Sequence, residues 1–402
     1  TQAPANTQVL SLGQAGKEPV KITEPGCYVL RTSEKQTTPS SGYVIDVPNA
    51  TSYNPVTIYI DGTVYVNGST NSLVGQTRWL FNIKRGSNIE FIGINNPCVS
   101  FHDKNGGNQS VSGFLTDRYY DGGYKNASGG ISVSLKLGDG SQNFFLSYSS
   151  RLDQKVPAIS LGSAEGELTA KFEKLKIQDY AGKSGAVAGN AQEYAVPVRL
   201  FREGRDTTGG NTKPFTATFT DCVFYDTSGD FNGAVSVDGN SSFKMPEDGS
   251  AVAKLTATFN NCSFSGSNGE NLGVRQTNNS YDSVEASRYF ANSSILNTYA
   301  VAGVMGVTNA TVNLNSCTMN NFYSTRSSSA DNTLTVDALN VARSARCNIN
   351  GGAIERYGAR GNTCVVYAAG TLNLSGSPTI ASFWKNSHAG DTTTGDGYTE
   401  AD

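Results

Sequence analysis

A short segment recurs along this chain, and the recurrence limits the available folds more than any other feature. Thr216–Phe224 (TATFTDCVF) returns as Thr256–Phe264 (TATFNNCSF) and, more loosely, as Val312–Met319 (VNLNSCTM). Weaker echoes begin at Ile58, Ile89, Ala170, Asn348 and Leu372. Self-similar units that stack on their neighbours are the mark of repeat proteins, so the chain is predicted to be a stack of similar units.

Within each repeat the alternation of apolar residues shifts by one position. Ala217 and Phe219 share one face of a strand, yet Cys222 follows Phe219 at an odd spacing and is again small and apolar. The chain must therefore bend between them to keep one interior face. Residue types that tolerate a left-handed backbone stand at the expected bend, with Lys174 as the exception. They are Gly62, Gly93, Asp221, Asn261, Ser316, Gly351 and Gly376.

The distance between equivalent residues varies, from 25 residues between Ile349 and Leu374 to 55 between Phe259 and Leu314. Variable loops on a constant strand frame favour a β-helix over a propeller or a leucine-rich repeat. We therefore predict an all-β, right-handed parallel β-helix (solenoid) with long loop excursions and an N-terminal cap. The predicted parts are 1–50 (cap and first strands), 51–385 (β-helix) and 386–402 (polar tail or linker), with excursions at 101–126, 182–191, 205–213 and 325–332.

Charge and hydropathy exclude several partners. The formal net charge is −3 with only 16% charged residues, and no basic stripe offers an electrostatic site for nucleic acid. No apolar run is long enough to span a bilayer, so membrane insertion is not expected. The abundance of Gly, Ser, Thr and Asn suits an extracellular or cell-surface protein.

The seven cysteines include no Cys-x-x-Cys pair, which argues against a zinc or thioredoxin-type site. Their odd number leaves at least one unpaired within the chain. We expect several to be small apolar core residues, with one or two disulfides as the alternative.

The repeats at 219–224 and 259–264, together with the opening Ile22–Tyr28 leading to Val56–Gly62, resemble the right-handed β-helices of the pectin-lyase-like superfamily. The resemblance covers about residues 20–385. The resemblance implies a β-helix whose function involves carbohydrate. In character the chain is similar to the members that bind carbohydrate, such as adhesins and tāpirin-like proteins. Fold alone does not assign function in such families.

Two enzyme classes implied by the resemblance lack their motifs. His102 and His388 do not lie in the Gly-His-Gly element of polygalacturonase-like hydrolases, and the Trp-Ile-Asp-His and Arg-x-Pro-x-x-Arg elements of lyases are missing. Carboxylate pairs for acid and base chemistry could come from Asp226 with Asp230 or from Asp221 with Asp238, although turn formation explains both. We assign no catalytic residue. Catalysis is left open as the less favoured alternative.

Two groups of side chains are candidates for carbohydrate binding. A tyrosine cluster with charged neighbours offers flat rings that stack on sugars, unless the loop packs these rings onto the solenoid. Two arginines can hold an acidic sugar through bidentate contacts. The candidate residues are Arg118, Tyr119, Tyr120, Asp121 and Tyr124 in the first group, and Arg199 and Arg205 in the second.

These observations predict an extracellular polysaccharide-binding protein or surface adhesin without catalysis, whose partner is a polysaccharide or a cell-wall surface. The alternatives are a polysaccharide lyase or glycoside hydrolase of the β-helix superfamily, and a filament or surface-layer subunit. No metal ligand set and no cofactor is predicted, although the Asp/Gly-rich loop Asp391–Asp396 leaves calcium open.

Overall fold

Parallel pairing between successive turns of the chain organises this protein. The computed structural model describes residues 2–11, 18–31, 42–67, 79–86, 88–102, 112–116, 131–137, 144–148, 156–163, 167–178, 180, 196–202, 213–225, 227, 234–239, 254–265, 305–324, 336–341, 345–360, 363–386 and 398–401. Within these residues every regular element is a β-strand, and the strands form one sheet of 19 and another of 10.

The larger sheet contains two rows of strands, which we name ladder A and ladder B. Ladder A consists of β1 (Gln8–Leu10), β3 (Gly26–Leu30), the first halves of β5 (Val56–Asn67) and β7 (Ile89–His102), β9 (Ile131–Leu137), β12 (Leu168–Glu173), β15 (Phe215–Thr220), β18 (Leu255–Asn260), β21 (Thr311–Asn315), β24 (Arg346–Asn350) and β27 (Thr371–Ser375). Ladder B consists of the second halves of β5 and β7, β10 (Phe144–Tyr148), β13 (Leu175–Gln178), β16 (Val223–Tyr225), β19 (Ser263–Ser265), β22 (Thr318–Ser324), β25 (Ala353–Arg360), β28 (Thr379–Asn386) and β29 (Tyr398–Ala401).

The smaller sheet is ladder C. It consists of β2 (Val20–Ile22), β4 (Tyr43–Val47), β6 (Trp79–Gly86), β8 (Ser112–Thr116), β11 (Ile159–Ser163), β14 (Val198–Arg202), β17 (Val235–Asp238), β20 (Met305–Thr308), β23 (Val336–Val341) and β26 (Thr363–Ala368). From β9 onward the chain visits A, then B, then C, and each strand from β9 to β25 pairs in parallel with its equivalent one circuit later. This arrangement is all-β, stacked and parallel, and is consistent with a β-helix.

A left-handed residue separates ladder A from ladder B in successive coils. Asp221, Asn261 and Ser316 have φ of 53°, 51° and 53°, and Gly62, Gly351 and Gly376 also have positive φ. Lys174, the residue type that fitted least, adopts φ 54° at the same place. Asn and Asp tolerate this region and Gly enters it freely, so the predicted bend is confirmed at these positions.

The prediction was wrong for Gly93. Gly93 stays in extended pairing opposite Ile60, and the bend falls at Asn95 and Asn96, with φ of 56° and 54°. Three residues of β7 there oppose Gly62 of β5, because Asp61 pairs with Ile94 and Thr63 with Cys98. The Asn95 side chain donates a hydrogen bond to Asp61 across this irregularity (2.8 Å).

The core lies between the ladders and is built from columns of equivalent side chains. Phe172, Phe219, Phe259, Leu314 and Ile349 occupy one register position in successive coils and are all buried. The Phe219 ring stacks on those of Phe172 and Phe259, with centroids 4.9 and 4.8 Å apart and interplanar angles of 15° and 10°. The repeat seen in the sequence is thus a column of side chains in space.

The two ends of the stack differ in exposure. At the first coils Leu10 and Ile22 are buried, whereas Leu374, which continues the Phe219 column in β27, is 53% exposed and Ile380 is 38% exposed. In the described part of the chain β27 pairs only with β24. Strand β29, within the segment expected to be a polar tail, pairs antiparallel with β28. At the end of the stack formed after residue 370, apolar side chains of the interior columns are therefore exposed to solvent.

Phe219→Ala is expected to lower the free energy of unfolding by about 3–5 kcal/mol, because it removes a fully buried ring from the middle of a stack. Thr218→Ala, one residue earlier and on the outward face, is the matched control and should change it by about 0.5 kcal/mol or less. Urea denaturation followed by circular dichroism measures both. Equal effects of the two variants would contradict the assignment of faces.

Substitutions at Ser316 test the left-handed bend. Ser316→Gly should leave stability close to that of the wild type, since Gly adopts positive φ without strain. Ser316→Val should destabilise by about 1–2 kcal/mol, because a β-branched side chain clashes in this region. Thermal unfolding of the pair gives the comparison, and a Val variant as stable as the Gly variant would refute a left-handed backbone at this position.

Candidate functional site

Tyr225 is a large aromatic side chain that ladder B presents to solvent. It ends β16 and is 44% exposed, while its neighbour Phe224 is fully buried. The alternation after the bend explains this: Cys222 and Phe224 point inward, and Val223 and Tyr225 point outward. Phe224 stacks on Phe264 of the next coil at 4.8 Å and 8°, which fixes the strand that carries Tyr225.

Polar side chains occupy the outward positions of ladder B along the stack from Tyr225. The Lys176 ammonium lies 5.1 Å from the ring centroid, within the range of a cation–π contact. Gln178 pairs with Tyr225 in the preceding coil, and Ser265, Asn320 and Glu355 continue the outward positions of this ladder in the following coils. A flat ring with hydroxyl and amide side chains at the same position of the adjacent coils is the chemistry that sugar recognition uses.

The position of Tyr225 on an outer face could have been predicted from the sequence. Tyr225 directly follows Phe224, an inward residue of the repeat Thr216–Phe224. Because side chains alternate between the two faces of a strand, Tyr225 must point outward. The prediction of a binding site fell instead on residues 117–124, where aromatic residues are closely spaced in the sequence. A single ring in a regular strand is less conspicuous than a cluster in a loop, but its position is better defined.

Most of the predicted carbohydrate-binding residues lie outside the described residues. Arg118, Tyr119, Tyr120, Asp121 and Tyr124 fall within 117–130, and Arg205 falls within 203–212. Their assignment stays a prediction. Asp226 and Asp230, the first candidate carboxylate pair, are also outside the described residues.

Arg199 is described, and it is buried. It lies in β14 of ladder C with 4% of its surface exposed, and its guanidinium is 4.5 Å from the centroid of the Phe201 ring. Ser160 and Ser236, its register partners in the adjacent coils, are also buried. A sugar carboxylate could reach this guanidinium only after the residues that cover it moved.

The two residues of the second candidate carboxylate pair lie in different parts of the fold. Asp221 stands at the bend between ladders A and B, where it accepts a hydrogen bond from Asn261 at 2.8 Å, whereas Asp238 ends β17 in ladder C. The two residues therefore belong to different sheets. Among the described residues no group of three or more His, Cys, Asp or Glu side chains is placed to hold a metal ion.

The cysteines at the bend form a buried column, as expected of core residues. Cys262 donates to the carbonyl of Phe219 at 3.4 Å, and Cys317 donates to that of Phe259 at 3.2 Å. Hydrogen bonding with Cys222, followed by burial, raises the pKa of the Cys262 thiol to about 12. Burial raises the pKa of Cys347 to about 12 and that of the half-buried Cys98 to about 11. The six cysteines whose side chains the structure describes are free thiols, so the disulfide alternative does not apply to these six.

Neither membrane-spanning helices nor similarity to known proteins indicates a function for this site. No helix in the described ranges is long and apolar enough to cross a membrane. Comparison with protein-family models, with curated proteins and with solved structures finds no match. The site must therefore be interpreted from its own chemistry.

The raised thiol pKa values predict a fall in stability at alkaline pH. In the folded state Cys347 stays protonated above its ordinary pKa of 9.0, whereas in the unfolded chain it ionises, so its contribution is complete below about pH 9 and is lost as the pH rises towards 12. Cys347→Ala should remove part of this alkaline dependence. Urea midpoints between pH 7 and 10.5 measure it, and identical slopes for the two proteins would contradict the prediction.

Proposed function

We propose that this protein is a right-handed parallel β-helix of the pectin-lyase-like type that binds polysaccharide without cleaving it. The single observation that carries the proposal is the exposed Tyr225 ring on a regular strand, with Lys176 and Gln178 beside it. Parallel strands joined by crossovers are almost always right-handed, which supports the handedness. An extracellular or cell-surface location belongs to the same proposal and rests on composition.

The proposed ligand chemistry follows from the surface. One face of a pyranose ring is made of C–H groups, which pack against the flat ring of Tyr225. Its hydroxyls lie at the rim of the sugar, where the side chains of Gln178, Ser265 and Asn320 donate and accept hydrogen bonds. Equivalent positions recur at each coil, so a chain running along the stack meets similar polar groups repeatedly.

Binding is favoured over catalysis because the described chemistry suits recognition. The Tyr225 surface offers contacts and hydrogen bonds, while Asp221 and Asp238 lie on different sheets and Arg199 is buried. The lyase or hydrolase alternative requires the residues outside the described ranges. It is distinguished by product release, since a lyase acting on a uronate polymer yields unsaturated products that absorb in the ultraviolet.

The structural-subunit alternative has one observation in its favour. Leu374 and Ile380 are exposed apolar residues at the last coils, and β27 offers an edge without a further partner among the described strands. Exposed strand edges are sites of pairing with other chains. This end lies away from the Tyr225 surface along the stack, so assembly and polysaccharide binding are not exclusive.

Tyr225→Ala should weaken binding to the preferred polysaccharide about fivefold, the equivalent of roughly 1 kcal/mol for one stacking contact. Tyr225→Trp should retain binding, and Tyr53→Ala is the control because Tyr53 is 98% exposed but lies in a turn away from ladder B. Depletion assays with pectin, xylan, cellulose and chitin, with released sugars measured in parallel, test this. Release of products, or Tyr225→Ala binding as tightly as the wild type, would defeat the proposal.

A further inference from the structure

From β15 to β27 the outward face of ladder A carries a regular array of hydroxyl and amide side chains, which ends at β12, where Lys171 and Glu173 occupy two of the outward positions. Three rows run along the stack, and in each row equivalent residues of β15, β18, β21, β24 and β27 lie side by side. Arg346 is the charged residue among them. The rows are Thr216, Thr256, Thr311, Arg346 and Thr371; Thr218, Thr258, Asn313, Asn348 and Asn373; and Thr220, Asn260, Asn315, Asn350 and Ser375.

The array repeats regularly from coil to coil. Interior rings of adjacent coils stack at 4.8 Å with interplanar angles of 10° and 8°, so coils succeed one another by translation with little rotation. Along each strand, outward residues are separated by roughly 6.6 Å, twice the rise per residue. The face is therefore a two-dimensional lattice of polar groups and not a groove for one chain.

The side chains of this lattice are held in place. Thr is stiff at χ1 and presents a hydroxyl and a methyl group together. Asn348 donates to Asn313 and Asn373 donates to Asn348, each at 2.8 Å, and Asn313 donates to Thr258 at 3.1 Å. Asn315 likewise donates to Asn260 at 2.9 Å. This amide ladder fixes the orientation of the groups between the threonine positions.

We propose that the outward face of ladder A binds ice. Ice presents its oxygen atoms in regular rows. The shorter repeat of hexagonal ice is slightly less than the 4.8 Å spacing between coils, and its longer repeat slightly exceeds the separation of outward residues along a strand. A regular array of hydroxyl and amide groups fits such rows, and the methyl groups of the threonines occupy spaces between water molecules. The nearly complete absence of charge in the rows matters, because charged groups hold liquid water in other arrangements.

Two other occupants fit this face less well. Five coils at 4.8 Å and three rows cover roughly 500 Å², below the about 800 Å² per partner of a stable protein interface. A polysaccharide surface is bound through flat aromatic rings, and the three rows contain none. The ice proposal is independent of the polysaccharide proposal, because the Tyr225 surface belongs to ladder B.

The experiment compares ice partition of three proteins. The wild type is expected to enter slowly growing ice and to inhibit recrystallisation, whereas the double variant Thr220→Lys with Thr256→Lys should be excluded from ice. The matched control, Ser263→Lys with Thr318→Lys, places two lysines on the outward face of ladder B and should enter ice like the wild type. Equal urea midpoints of the three proteins establish that both double variants are folded.

Exclusion of the wild type from ice, at the level of an unrelated protein of similar size, would overturn the inference. So would a ladder A double variant that partitions like the wild type. If this variant instead loses polysaccharide binding while the wild type is excluded from ice, the face belongs to a polysaccharide. Tyr225→Ala should keep its ice partition, so failure of either proposal is seen separately.

Discussion

The left-handed residue between ladders A and B is the constraint on which the rest of the structure depends. Without it a strand that continued past Phe219 would turn its alternation over, and Cys222 would face solvent. One residue of positive φ at Asp221 redirects the chain while keeping both Phe219 and Phe224 inside. The interior columns, the parallel register and the polar outer faces all follow from this repeated bend.

The same alternation gives each coil two kinds of surface. Inward positions of β15 and β16 fill the core with Ala217, Phe219 and Phe224, and the outward positions carry Thr on ladder A and Tyr225 on ladder B. Because the bend separates the ladders, these two faces point in different directions. One chain can therefore present an array of hydroxyl and amide groups on one face and an aromatic side chain on another without either disturbing the core.

Much of the repeated frame could be predicted from sequence, because it depends on local alternation. Phe219, Phe259 and Leu314 were aligned by pattern and share one column. Gly93 was misassigned because a glycine after Phe91 resembles a bend residue, whereas Gly93 and Ile94 continue the pairing up to Asn95. The burial of Arg199 could not be predicted. The alternation of side chains along a strand shows which face a residue lies on, but it does not show which other residues cover that face.

The amide ladder on ladder A has a direction. Asn313, Asn348 and Asn373 each donate towards the preceding coil, so their dipoles point the same way and polarise one another. A coil carrying Asn at this position can be duplicated or deleted within the row, and the remaining amides still meet a donor on one side and an acceptor on the other. The hydrogen bonds of this row therefore do not fix the number of coils.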